Sequence, residues 1–215
     1  MGIVDETPGI WGKGYSTNSK EVERDYDTFA ATGNYDASFV DWDYVGPTTA
    51  AAILRNYVPL DAQILDAACG SGLTGTALSS LGYSSIDGMD ISGELLKLAE
   101  QSGVYSQLHK VDMQSIPLPI ADNHYDAVNF IGALTYFETN DILVELCRII
   151  KPGGHLIFSH REDIMRDKNV AETLRAMESD GVWKRLFGTE PMPYLPHHPD
   201  YGDAIKVQYF VYEVM

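Results

Sequence analysis

Residues 64–75 read ILDAACGSGLTG, an apolar run that enters a turn rich in glycine. This pattern predicts a strand, a tight turn and the start of a helix, as in open α/β sheets that bind ligands at the carboxyl ends of their strands. Gly70 and Gly72 let the backbone approach a ligand where a Cβ would collide. Asp90 ends the next apolar run about 20 residues later, where its carboxylate can accept hydrogen bonds from the ribose hydroxyls of a nucleoside.

The spacing Gly70-x-Gly72-x-x-Gly75 also fits the fingerprint of proteins that bind dinucleotides, so an NAD-linked oxidoreductase is one alternative. Asp66 argues against it, because a buried carboxylate inside the strand would lie beside an anionic pyrophosphate. The same carboxylate suits the ammonium group of S-adenosylmethionine, whose methionine part also carries a sulfonium and no phosphate. The lack of a Tyr-x-x-x-Lys pair in the sequence counts against the oxidoreductase as well.

Short apolar runs alternate with helical segments from about residue 62 onward, which predicts a parallel sheet with helices on both faces. The last run, residues 205–214, has the two-residue period of a strand and follows a loop rich in proline. We therefore expect an α/β fold with a Rossmann-like, doubly wound sheet of seven mostly parallel strands, an antiparallel C-terminal strand and an N-terminal helical cap. Helices outside the alternating region are expected at about 20–31, 37–44, 48–57 and 166–180.

The chain is expected to form a single domain, because 215 residues suit one hydrophobic core with decoration. Residues 1–60 would form an N-terminal arm and helical lid, and residues 61–215 the ligand-binding part. The N-terminal segment is rich in aromatic residues, which at helical spacing form a packing face, a lid over a ligand, or both. These residues are Trp11, Tyr15, Tyr26, Phe29, Tyr35, Phe39, Trp42 and Tyr44.

Over about residues 20–161 the sequence resembles class I S-adenosylmethionine-dependent methyltransferases. Residues 66–72 are similar to the first motif of that family, with Ala68 where many members have glycine. Residues 88–92 are similar to the second motif, and residues 111–113 match the position after the third strand.

Further segments extend this resemblance. Residues 125–133 look like the fourth motif, and residues 146–154 resemble the turn from a helix into the next strand. The pairs Tyr26-Asp27 and Tyr35-Asp36, together with the Ala-Ala-Cys-Gly turn, are similar to the methyltransferase-like proteins of the Williams–Beuren syndrome region 27 type.

The resemblance implies S-adenosylmethionine as the cofactor and S-adenosylhomocysteine as its product. Asp90 would bind the ribose, Asp112 would meet the adenine amino group, and Met113 would pack beside the adenine ring. The methionine end would lie within reach of Tyr26 or Tyr35. The residues expected at the cofactor are Tyr26, Tyr35, Asp66, Ala68, Gly70, Gly72, Asp90, Ile91, Asp112, Met113 and Ile131.

Methyl transfer from a sulfonium is an in-line SN2 displacement, and orientation of the reactants can supply about 7–11 kcal/mol of its acceleration at best. A general base is needed only where the acceptor is a hydroxyl or a protonated amine. His160 and Tyr136 are the candidate catalytic residues, because they follow the fifth and fourth strands. A strand-end histidine bound to nearby backbone is the alternative for His160. The acceptor stays open, as does its attacking atom, which can be O, N, S or C.

Charge and composition restrict the partners. The chain has 15 Lys and Arg against 31 Asp and Glu, a formal net charge of −16. Such a surface repels phosphate backbones, so neither nucleic acid nor an anionic membrane is an expected partner. We expect a small-molecule substrate, and a monomer or homodimer.

Cys69 and Cys147 lie far apart, and His197-His198 lacks a third ligand, so the sequence predicts neither a disulfide nor a metal site. Because no apolar run approaches a membrane span and the first residues lack a secretion-signal pattern, we expect a cytoplasmic protein. The alternative from another functional class is an S-adenosylmethionine-binding sensor or activator subunit without catalysis. It would share the cofactor residues and lack an acceptor site.

Overall fold

The computed structural model describes residues 16–215. The expected N-terminal arm, with Trp11 and Tyr15, lies outside the described residues. The described chain begins with three short helices, here called the helical lid: α1 Ser19–Ala31, α2 Tyr35–Asp41 and α3 Gly46–Leu54. Asn18 caps α1, because its side chain accepts hydrogen bonds from the first free backbone N–H groups of the helix.

Eight strands within the described part of the chain form one mixed sheet. They are β1 Ile64–Ala67, β2 Ile86–Asp90, β3 Gln107–Lys110, β4 Tyr125–Phe130, β5 Ile150–Arg161, β6 Trp183–Gly188, β7 Met192–Pro193 and β8 Lys206–Val214. Their order is β3-β2-β1-β4-β5-β8-β6, with β7 paired to β8. Neighbours among β1 to β5 are parallel, whereas β8 is antiparallel to β5, β6 and β7. The mostly parallel α/β sheet with an antiparallel C-terminal strand is confirmed, and the short β7 adds an eighth strand.

Five further helices pack around the sheet: α4 Leu73–Ser80, α5 Gly93–Ser102, α6 Asp141–Ile149, α7 Glu162–Asp167 and α8 Val170–Ser179. The prediction of one helix over 166–180 is wrong, because the chain breaks between α7 and α8. Asn169 has a φ of 57°, in the left-handed region that no α-helix interior accommodates. The preceding Lys168 donates hydrogen bonds to the carbonyl oxygens of Thr135 and Phe137 (2.7 and 2.5 Å), which ties the break to the loop after β4.

Both faces of the central strands are buried, as parallel strands between helices require. Alternate residues enter different parts of the core: Phe130 and Phe158 pack into one cluster, and Ile64 and Ile157 into another on the opposite face. The strand order reverses between β1 and β4, and such a switch point is where open α/β sheets bind ligands. Within residues 16–215, no helix is both long and apolar enough to cross a membrane.

Candidate functional site

A cavity with an empty volume of about 930 Å³ lies between the carboxyl ends of β1 to β4 and the helical lid. One side is formed by the loops that follow the four strands, and the other side by aromatic side chains from the lid. The cavity therefore lies at the switch point of the sheet.

The turn after β1 needs left-handed backbone at three positions. Ala68, Gly70 and Gly72 have φ values of 57°, 56° and 95°, which explains why glycine is favoured where this chain has Ala68. A Cβ at Gly70 would lie 3.3 Å from the Oη atom of Tyr35, inside the cavity. Gly72 does not line the cavity: a Cβ there would lie 3.0 Å from the ring of Tyr105, so Gly72 allows close packing behind the turn.

Asp90 joins the turn after β1 to the end of β2. Its Oδ2 atom accepts a hydrogen bond from the backbone N–H of Gly70, and its Oδ1 atom accepts one from the N–H of Ser92, both at 2.8 Å. Burial raises the pKa of Asp90, while these backbone hydrogen bonds favour the charged form. The carboxylate and the neighbouring Ile91 both line the cavity.

The loop after β3 brings Asp112 and Met113 to the same cavity. One carboxylate oxygen of Asp112 accepts hydrogen bonds from Ser19 Oγ (2.9 Å) and from the backbone N–H of Gln114 (3.0 Å). Met113 is buried beside it. Ile131 lines the cavity from the loop after β4, so both apolar and carboxylate groups meet there.

Asp66 lies in β1 below the turn and does not line the cavity. Its side chain is 1% exposed, and its Oδ2 atom accepts a hydrogen bond from the Tyr105 hydroxyl at 2.7 Å. Burial raises the pKa of Asp66 to about 7, against the opposing effect of the hydrogen bond from Tyr105. This carboxyl group therefore changes charge near neutral pH.

Three side-chain hydrogen bonds tie the lid to the loops that follow β1, β2 and β3, and we call them the lid latches. Ser71 Oγ donates to Asp36 (2.5 Å), Ser92 Oγ donates to Asp27 (2.5 Å), and Ser19 Oγ donates to Asp112. In both Tyr-Asp pairs of the lid the tyrosine lines the cavity and the aspartate forms a latch. The sequence motif thus has two structural roles.

The Asp27 latch offers a direct test of lid attachment. Asp27 also accepts a hydrogen bond from the backbone N–H of Glu94 (3.1 Å), so Asp27→Ala removes both bonds at the start of α5. We expect amide hydrogen exchange in α1 to become about tenfold faster, because two hydrogen bonds that hold the helix are lost. Asp25→Ala is the control, since that side chain, also in α1, forms an ion pair with the exposed Arg24. Equal exchange in both variants would contradict the latch.

Six aromatic side chains form a continuous series of ring contacts around the lid side of the cavity, here called the aromatic arc. Neighbouring ring centroids in the arc are 5.0–6.3 Å apart. The arc consists, in order, of Tyr136, Tyr26, Tyr35, Phe39, Tyr44 and Tyr194, and all six line the cavity. Sequence analysis missed Tyr194, which lies in the loop between β7 and β8, where no periodicity marks it.

The two candidate catalytic residues lie in different places. Tyr136 lines the cavity, and its hydroxyl shares a hydrogen bond with that of Tyr26. His160 does not line the cavity: it is 2% exposed, and neither ring nitrogen has a hydrogen-bond partner within residues 16–215. Burial, with the nearby Lys168 charge, lowers the pKa of His160 to about 3, so its imidazole is neutral.

Among residues 16–215, no group of three or more His, Cys, Asp or Glu side chains is arranged so that it could hold a metal ion. His198 instead stacks on Tyr201, with ring centroids 4.4 Å apart. Arg161 pairs with Asp163 through two hydrogen bonds of 3.1 and 2.7 Å. These polar groups are accounted for by packing and pairing outside the cavity.

The sequence is similar to those of several methyltransferases. Residues 65–158 match the model of a methyltransferase domain. Human methyltransferase-like protein 27 is 29% identical over 167 residues, which cover 75% of this chain and 67% of that protein. Demethylmenaquinone methyltransferase from Bacillus licheniformis is 34% identical over 104 residues, which cover 46% of this chain and 45% of the relative. This second match therefore spans less than half of either protein.

Solved structures agree on the fold. The [4+2]-cyclase SpnF superposes with a TM-score of 0.69 at 17% identity, covering 93% of this chain and 97% of the cyclase. An S-adenosylmethionine-dependent methyltransferase from Thermotoga maritima, described as a possible histamine N-methyltransferase, gives 0.60 at 16% identity, with coverage of 88% and 97%. At these identities the likeness establishes the Rossmann-like fold alone.

Proposed function

We propose that the chain acts as a class I S-adenosylmethionine-dependent methyltransferase and transfers the cofactor's methyl group to a small molecule held between the strand ends and the aromatic arc. One observation carries the proposal. The carboxylates of Asp90 and Asp112 line the same cavity as the arc, so residues suited to a nucleoside and residues suited to a second molecule share one site.

The cofactor half is built from the loops after β1, β2 and β3. Asp90, held by two backbone N–H groups, would bind the ribose hydroxyls, and Asp112 would accept a hydrogen bond from the adenine amino group. Ile91 and Met113 would contact the adenine ring. The left-handed turn at Gly70 leaves the space beside Tyr35 free of a Cβ, which suits the methionine part.

When bound, the cofactor supplies a methyl group activated by a sulfonium. The protein's contribution is then to orient the acceptor and to exclude water, which the latched lid and the arc would do. Tyr26 and Tyr35 would line the methionine end, and Tyr136 would position the acceptor beside it. Burial raises the pKa values of Tyr26 and Tyr35 well above the usual range, so their hydroxyls stay protonated and serve as hydrogen-bond donors.

Three features support a small acceptor. The lid covers one side of the cavity, the formal charge of −16 disfavours nucleic acid, and demethylmenaquinone methyltransferase, one of the matched relatives, is named for a quinone. Cys69 and Cys147 are buried free thiols, as expected for the cytoplasmic location that we propose. We propose further that the protein is a monomer or homodimer. The alternative of a cofactor-binding sensor without catalysis would leave the arc without a ligand.

Calorimetric titration with S-adenosylmethionine and S-adenosylhomocysteine tests the cofactor site, with NAD(H) titrated in parallel. We expect Asp90→Asn to weaken binding of both sulfur nucleosides by about tenfold to a hundredfold, because hydrogen bonds to a charged acceptor are lost. Asp87→Asn is the matched control. Asp87 is a buried carboxylate on the same strand that accepts a hydrogen bond from Tyr125 at 3.0 Å and lies outside the cavity.

Unchanged affinity in Asp90→Asn, or equal loss in both variants, would contradict the assignment of Asp90 to the ribose. Binding of NAD(H) in place of the sulfur nucleosides would contradict the proposed function itself. Release of S-adenosylhomocysteine on addition of an acceptor would then separate the enzyme from a sensor.

A further inference from the structure

Two hydroxyl groups meet at the end of the cavity that faces the loop after β4. Gly132 has a φ of 73°, and its backbone N–H donates to Ser159 Oγ at 2.9 Å, so its position is fixed. A Cβ on Gly132 would lie 3.1 Å from the Tyr44 Oη atom and 3.5 Å from the Tyr194 Oη atom. Both hydroxyls therefore point to the space directly above this glycine, which accommodates no side chain of its own.

These hydroxyls have no partner in the protein as far as it is described. Among the hydrogen bonds within residues 16–215, none involves the Oη atom of Tyr44 or of Tyr194, although both residues line the cavity. Burial raises the pKa values of both tyrosines well above the usual range, so each hydroxyl keeps its proton and can donate as well as accept. Both residues line the cavity, so a ligand there can supply a hydrogen-bond partner for each hydroxyl.

The charges around the cavity restrict what that ligand is. Among the described residues that line it there is no Lys, Arg or His, and the charged members are Asp90 and Asp112 on the cofactor side. The guanidinium of Arg161 lies 5.9 Å from the Tyr194 ring centroid, but it is paired with Asp163. An acceptor with a carboxylate or phosphate would lose its hydration without gaining a counter-charge. An ammonium group beside Tyr44 and Tyr194 would likewise lack a counter-charge.

We propose that Tyr44 and Tyr194 form the acceptor subsite and select an uncharged, ring-containing acceptor by hydrogen bonds to one of its polar groups. This inference rests on the proposed function. The aromatic rings of the arc pack against the ring of the acceptor. The hydroxyls of Tyr44 and Tyr194 orient it by accepting a hydrogen bond from a hydroxyl or donating one to a carbonyl. Recognition by neutral hydrogen bonds discriminates against analogues that carry a full charge.

The test uses two series of probes that share a ring and carry a short side chain that is uncharged, anionic or cationic. The catechol series comprises 4-methylcatechol, 3,4-dihydroxyphenylacetate and dopamine; the indole series comprises 3-methylindole, indole-3-acetate and tryptamine. Each probe is titrated into the complex of the protein with S-adenosylhomocysteine to measure binding. Methyl transfer is measured separately, as the formation of S-adenosylhomocysteine from S-adenosylmethionine. We expect the uncharged member of at least one series to bind or react at least about tenfold better than its charged counterparts.

Tyr44→Phe and Tyr194→Phe test the residues themselves. Each keeps its ring and removes one hydroxyl, so we expect the KM of the uncharged probe to rise about fivefold to tenfold while S-adenosylmethionine affinity stays within about twofold. Tyr209→Phe is the control, because Tyr209 is a buried member of the hydrophobic cluster that contains Tyr194 and borders Tyr44, but it does not line the cavity.

Preference for either charged member would overturn the inference, and so would failure of every uncharged probe to bind or react. Equal behaviour of the three tyrosine variants would overturn the assignment of the subsite. In each of these cases intact S-adenosylmethionine binding would leave the proposed function standing, whereas loss of cofactor binding in the unmodified protein would show that the proposed function had failed.

Discussion

Asp66→Asn is expected to make the protein more stable above pH 7 and a weaker binder of S-adenosylmethionine. The pKa of the buried Asp66 carboxyl is about 7 in the folded protein, compared with about 4 in an unfolded chain. Between these values the native state holds a proton that the unfolded state has lost, so stability falls as pH rises from 4 to 7 and stays lower above. The difference amounts to at most about 4 kcal/mol.

Asparagine resembles the protonated carboxyl and can still accept the hydrogen bond from Tyr105. Urea unfolding at pH 5, 6, 7 and 8 should therefore show a falling free energy of unfolding in the unmodified protein and a flatter profile in Asp66→Asn. Asp126→Asn is the contrasting control. Lys151 and the backbone of Gln63 lower the pKa of Asp126, so its charge stabilises the native state above pH 4, and its loss should destabilise.

Binding of the cofactor should make the ionised form of Asp66 more favourable than the protonated form. A ligand ammonium favours the ionised carboxylate, so binding at pH 6 is expected to release up to about one proton, measurable by calorimetry in buffers of different ionisation heat. Asp66→Asn should release none and bind more weakly. A stabilised variant with unchanged affinity would show that Asp66 has no part in cofactor binding; a variant destabilised at pH 8 would contradict the raised pKa.

Phe158→Ala is expected to cost about 3–5 kcal/mol of unfolding free energy, and about 10 °C in Tm, through the cavity it leaves. Phe158 is fully buried in β5, with its ring stacked on Trp183 of β6 and Tyr212 of β8 at centroid distances of 6.3 and 5.9 Å. These contacts join the antiparallel strands to the parallel part of the sheet.

Urea or thermal unfolding measures this loss. Phe187→Ala is the matched control, because Phe187 lies on the outer strand β6 and is 36% exposed, so its loss should cost less than about 1 kcal/mol. Comparable effects of the two substitutions would mean that the stacked rings contribute little to holding β6 and β8 on the sheet.

The central fold could be predicted because its determinants are local. Apolar runs, glycine turns and their spacing indicate β1 to β5 and the loops at their carboxyl ends, and the resemblance to methyltransferases added Asp112 and Met113. The lid latches could not be predicted, because Asp27 and Asp36 are separated from their serine partners by 65 and 35 residues. Nothing local to either partner signals such a contact.

Strand ends were predicted better than side-chain directions. His160 is the second-last residue of β5, but the two-residue alternation of a strand places it on the same face as Phe158, away from the face of Ile157 and Arg161. A shift of one position reverses the face, and the sequence alone did not indicate which face met the cavity. His160 as a catalytic residue stays a prediction, with no direct contact to support it.

The lid latches also bear on the order in which the chain is assembled during synthesis. The partners of the lid in these hydrogen bonds lie between residues 71 and 112. The N-terminal helices therefore cannot form the lid latches until that segment has left the ribosome. Tyr194 arrives much later, from a loop bounded by the last two strands. A nascent chain thus completes its nucleoside-facing wall well before the wall that would recognise the acceptor.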